Sequence, residues 1–91
     1  MGDKQILNIQ SDMTNDRRQE MEQIVSHAVQ TEGLDNIKGI ARTVKGRCED
    51  RFGGNWNCHV GTFFGSSFPY EAGTYFYAEI GNICVLVYKF Q

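Results

Sequence analysis

The hydrophobic period of this chain changes at Gly53-Gly54, and that change restricts it to folds in which helices precede a run of strands. Before the break, Thr14 can cap a helix whose first turn carries Asn15 and Asp16, and Met21, Ile24, Val25, Ala28 and Val29 recur at helical spacing up to about Gly33. Asp35 or Asn36 can cap a second helix, with Ile37, Ile40, Ala41, Val44, Cys48 and Phe52 as its apolar stripe. Gly39 and Gly46 each weaken that helix by about 1 kcal/mol relative to alanine, so packing must hold it, and Gly53-Gly54 ends it.

After Asn55, aromatic and β-branched residues dominate and glycines punctuate them, which predicts strands at Trp56 to Val60, Thr62 to Phe68, Gly73 to Glu79 and Ile83 to Phe90. Gln5 to Gln10 forms a further short strand, although Ile6, Leu7 and Ile9 do not alternate cleanly. The nearly continuous apolar run Ile83 to Val87 suits a central strand covered on both faces. The expected fold is α+β, with two helices packed against an antiparallel sheet. Two helical stripes cover one sheet face, and the aromatic-rich other face calls for a second protomer.

With 91 residues, the chain is read as a single domain, 1-91, near the small end for independent stability. Its net charge of -2 argues against nucleic acid as a main partner. Arg17, Arg18, Lys38, Arg42, Lys45, Arg47 and Arg51 are interleaved with carboxylates and lack alternating aromatic residues, so they read as solvated helix faces. Cys48, Cys58 and Cys84 cannot all pair within the chain and follow no secretory leader, which predicts a reduced intracellular setting. Apolar runs are too short to cross a bilayer, so no membrane partner is expected.

Neighbours on a strand point to opposite faces, so His59 cannot readily activate Cys58 for nucleophilic catalysis. The cysteines lack metal-ligand spacing, no metal or other cofactor is expected, and they read as small buried hydrophobes. His27 reads as a surface or satisfied histidine. Gly61 and Gly65 bracket Thr62-Phe63-Phe64, but no Lys-Ser/Thr pair or helix follows, which excludes a phosphate loop. Glycine within a strand more often marks a bend or a close approach of another backbone. Tyr75 and Tyr77, with Glu79, share one strand face and either floor a groove or pack on a neighbouring strand.

Trp56-Asn57-Cys58, Val60-Gly61 and Phe64-Gly65-Ser66, then Glu71, Tyr77, Gly81 and Lys89, preceded by Asp12-Met13 and the helix pair, resemble the eight-kilodalton dynein light chain family. The resemblance runs from about Ile6 to Lys89. It implies a strand-exchanged homodimer in which Thr62 to Phe68 crosses to the partner's sheet, with Trp56, Asn57, Cys58, Val60, Gly61, Thr62 and Phe64 at the dimer interface. It also implies two parallel grooves that bind disordered segments by β-strand addition. The groove residues it implies are Phe63, Phe64, Gly65, Ser66, Ser67 and Phe68 on the pairing strand, Tyr75 and Tyr77 as floor, and Lys38 at the wall. A dimeric client gains from effective concentration, so the chain zips two partner chains together without catalysis.

The implied role is a light chain of a cytoplasmic or axonemal dynein motor on the cytoskeleton, bound to an intermediate or heavy chain. The alternative is a general regulatory hub with many unrelated clients. This chain departs from the family pattern at several places. In the family, client segments often bind through a short motif with a central glutamine; here Ile37 stands where a glutamate helps hold that glutamine, Pro69 and Tyr70 replace a threonine and a histidine, Phe68 replaces a smaller residue, and Glu79 stands where a second tyrosine is usual. The usual glutamine motif is therefore expected to bind weakly or not at all. Asn57 stands where a histidine is usual at the dimer interface, so no acid-triggered dissociation is expected there. Phe90 stands where a serine is usual, which removes a phosphorylation site.

Overall fold

The structure, a computed structural model, describes residues 6–61 and 73–89. Along the described chain run β1 (Ile6–Ser11), α1 (Asn15–Glu32), α2 (Ile37–Phe52), β2 (Trp56–Gly61), β3 (Phe76–Ile80) and β4 (Ile83–Lys89). The strands form an antiparallel sheet in the order β1-β3-β4-β2, and the helices supply the other half of the core. The expected α+β fold is the observed one. The strand expected over Thr62 to Phe68 lies outside the described residues, as do Pro69, Tyr70, Glu71 and Phe90.

Helix boundaries fall where side chains can satisfy the free backbone groups. Thr14 Oγ1 accepts from Arg17 N at 3.4 Å at the start of α1. At α2 the cap is Asn36, whose Oδ1 accepts from Gly39 N at 3.0 Å. Asn36 Nδ2 donates to Glu32 Oε1 at 3.1 Å, and Thr43 donates to Glu32 Oε2 at 3.0 Å, so the interhelix turn is tied to both helices. Gly39 is buried beneath this arrangement, and a Cβ there would collide with the Asn36 amide and the Glu32 carboxylate. The glycine that costs helix propensity thus leaves room for the Asn36–Glu32 bond at the cap. Nothing in the structure explains Gly46.

The core joins Met21, Val25, Ala28 and Val29 of α1 to Ile40, Val44 and Cys48 of α2 and to the inward side chains of the sheet. Trp56 is its largest member, and its indole N–H donates to the Gly53 carbonyl at 2.8 Å. The Trp56 backbone is held from both sides, since its N–H donates to Glu49 at 3.2 Å and its carbonyl accepts from Lys45 at 3.0 Å. The hydrogen bond from Lys45, and then that from the Trp56 N–H, hold the Glu49 carboxyl below the usual carboxylate range.

Two strand boundaries differ from the sequence expectation for identifiable reasons. β3 begins at Phe76 rather than Gly73 because the Asp12 carboxylate takes the N–H groups of Gly73 (3.1 Å) and Tyr75 (2.9 Å), and Ser11 donates to the Tyr75 carbonyl (2.7 Å). β1 fails to alternate because it carries a bulge between Leu7 and Gln10, with Asn8 in the left-handed region at φ 54°. The extra residue lets Ile6 and Ile9 both pack against the core while Leu7 stays exposed.

Candidate functional site

Alternation along β3 divides the sheet into two unlike faces. Phe76, Ala78 and Ile80 are buried towards the helices, and Tyr77 and Glu79 point the other way, half-buried. Strand register extends that outer face across the sheet. Leu7, Glu79, Cys84 and Gly61 form one row, and Gln10, Tyr77, Leu86 and His59 the next. Tyr88 and Asn57 pair beyond them.

The polar groups of this face are organised around Glu79. Its Oε1 accepts from Asn8 Nδ2 at 2.8 Å, and its Oε2 lies 3.1 Å from the Tyr77 hydroxyl. The same hydroxyl is 3.3 Å from Cys84 Sγ, and its one proton serves the carboxylate, the stronger acceptor. Contact with Cys84, burial and the Glu79 charge push the Tyr77 phenol above its ordinary range. At the other side of the sheet, His59 stacks on Tyr88 with ring centroids 5.6 Å apart, and His59 Nε2 lies 3.1 Å from the Tyr88 hydroxyl.

Strand order leaves β2 at one margin, where its outer edge has no strand partner among the described residues. An edge strand is the kind of place where a further strand can be added to a sheet. Trp56, Cys58 and Val60 turn their side chains inward, so any part they play at a dimer interface falls to their main chain. Asn57 and Gly61 lie on the outer face. Lys38 is exposed on the first turn of α2 beside the exposed Ile37, and Tyr75 is half-buried at the entry to β3. The remaining groove and interface residues, Thr62, Phe63, Phe64, Gly65, Ser66, Ser67 and Phe68, lie outside the described residues.

Burial disfavours a reactive thiolate. It pushes the Cys48 thiol up to about 12, with Glu49 adding to the effect, and raises Cys58 as well. Cys58 and His59 do face opposite sides of β2, the thiol against the core and the imidazole on Tyr88. His27 is exposed. It lines a cleft of about 360 Å³ between α1 and α2 together with Glu20, Gln23, Ile24, Arg47 and Arg51. Among the described residues no group of three His, Cys, Asp or Glu side chains is placed to hold a metal, and no helix is long and apolar enough to cross a membrane.

Sequence reasoning missed Asn8 and Leu7. The irregular alternation around them was the signal, since a broken period in an otherwise apolar strand is how a bulge looks in sequence.

Residues 5–90 match the family described as dynein light chain type 1. A cytoplasmic dynein light chain 1 of Candida glabrata is 33% identical over 79 residues, covering 87% of this chain and 90% of that protein. A cytoplasmic dynein light chain of Emericella nidulans is 31% identical over 80 residues, covering 88% and 83% respectively. In fold, the dynein light chain-like domain of the Fasciola hepatica calcium binding protein FhCaBP2 superposes with a TM-score of 0.85 at 20% identity, covering 98% of this chain and 94% of that one.

Proposed function

Since the chain belongs to the dynein light chain type 1 family, we propose that it acts as a dimeric light chain of a dynein motor, holding disordered partner segments by β-strand addition. The observation that carries this reading is the pairing of β2, a marginal strand with no strand partner on its outer side among the described residues, with an outer sheet face rich in Tyr77, Leu86 and Tyr88. In the proposed dimer, the segment over Thr62 to Phe68 crosses to the sister sheet and pairs at that edge. Its other side, with Tyr75 and Tyr77 as floor and Lys38 at the wall, takes the client strand. The clients are segments of a dynein intermediate or heavy chain, and the setting is the cytoplasmic cytoskeleton, by analogy with the cytoplasmic light chains that the sequence matches.

Affinity in this arrangement comes from main-chain hydrogen bonds, and selectivity comes from the side chains beneath alternate client residues. Two grooves side by side favour a client that is itself a pair of chains. Sedimentation of the purified chain should give a dimer, and affinity capture from cells should recover dynein chains in equal proportion. A stable monomer, or a spread of minor clients without dynein, would overturn the proposal.

A further inference from the structure

Glu79 is a half-buried carboxylate that, among the described residues, has two neutral donors and no cation. Asn8 and Tyr77 each serve one of its oxygens, at 2.8 and 3.1 Å. The ion pairs among the described residues are Arg18 with Glu22, Lys45 with Glu49 and Arg51 with Glu20, none of which involves it. An ionised carboxylate offers about four lone-pair positions, so one acceptor site on each oxygen stays open. That leaves both oxygens able to meet one planar guanidinium or one ammonium.

The neighbouring residues fit the rest of a basic side chain. Leu7 lies directly across from Glu79 in the β1–β3 register and is 54% exposed, which places bare apolar surface beside the carboxylate. Lysine and arginine combine an apolar stem with a charged head and can cover both. Asn8 reaches Glu79 from the bulge, in a left-handed conformation that asparagine tolerates better than other residues with a Cβ. The bulge thus aims a donor at the carboxylate and fixes its rotamer without neutralising it.

The geometry points to Glu79, oriented by Asn8 and Tyr77, as the residue that selects client strands carrying a lysine or arginine above it, with Leu7 receiving the stem. This rests on the outer sheet face being the client-binding face. It adds the chemistry of the client, which the main-chain ladder alone leaves open.

A random peptide library selected on the wild-type dimer, followed by lysine, arginine, alanine and glutamate substitution at each position of the binders, tests this. The expected result is one position where lysine or arginine binds about tenfold tighter than alanine, equivalent to roughly 1.4 kcal/mol. Glu79→Gln should erase that advantage, read as the ratio of basic to alanine peptides on the same variant, and added salt should reduce it in the wild type. Asn8→Gly keeps the backbone conformation and removes the donor, so it should lose part of the advantage, and it serves as the test if Glu79→Gln does not fold. Peptides that bind without a basic preference, or with one that both variants retain, overturn the role of Glu79 and leave the groove reading intact. No peptide retained by the wild type overturns the groove reading and this inference together.

Discussion

The two faces of the sheet are built from the same strands yet have opposite character. On β3, Phe76, Ala78 and Ile80 are sealed against α1 and α2, while Tyr77 and Glu79, one residue away in each case, carry a phenol and a carboxylate on the outer face. The inner face is an apolar surface whose contacts are with the chain's own helices. The outer face holds ordered polar groups beside apolar ones, Leu7 and Leu86 among them. Burial without polar groups stabilises a fold, whereas half-buried, preorganised polar groups give a surface something to discriminate with.

The sharpest way to break that contrast is truncation on both sides. Trp56→Ala or Phe76→Ala should cost about 3–5 kcal/mol in urea unfolding, and Tyr77→Phe about 1 kcal/mol at most. Equal losses from both faces would show that the outer one is also structural core.

Asn8 tests whether the outer face depends on an unusual backbone. Asn8→Ala should be less stable than Asn8→Gly by roughly 1 kcal/mol, because both lose the Glu79 bond but only alanine resists positive φ. Thermal or chemical unfolding of the two variants would decide it, and equal stability would mean the bulge relaxes.

Alkaline titration separates the faces chemically. The Cys48 thiol is raised from 9.0 to about 12 in the folded chain, so its contribution is whole below pH 9 and is lost as pH rises towards 12. Stability should fall by at most about 1.4 kcal/mol per pH unit above 9 for each such group. Cys48→Ala should flatten that slope from the inner side and Tyr77→Phe from the outer, where the phenol is raised too. Unfolding curves between pH 8 and pH 11 measure both, and an unchanged slope in Cys48→Ala would remove the Cys48 contribution.

The smallest expected effect lies in the client. If Pro69 faces the client on the same side as Gly65 and Ser67, its missing N–H takes one ladder bond from the usual glutamine motif, at about 0.5 to 1.5 kcal/mol per groove, besides the contact that Ile37 cannot make. Calorimetry with a glutamine-motif peptide should show weak or no binding, and low-micromolar affinity would sink the expectation.

Helix stripes, caps and glycine stops were legible in the residues because they are local. Thr14 and Asn36 cap where the sequence places caps, and Gly53 closes α2. The apolar run Ile83 to Val87 likewise lies in an interior strand, buried on both faces. Of the candidate site, the residue types and the Tyr77/Glu79 alternation could be read, since strand period fixes which neighbours share a face. The residues that complete the site could not. Leu7 and Asn8 reach Glu79 from more than seventy positions away in the chain, through a bulge whose sequence trace is only a broken alternation.

By itself, the sequence determined the α+β class, the helix limits and the two-faced character of the strands, because periodicity and capping act over a few residues. Tertiary structure alone decided that β1 joins the sheet beside β3, that Asp12 delays the start of β3, and that Glu79 is oriented by Asn8. Those outcomes depend on register between distant strands, and register is set only when the core closes and every side chain must choose a face.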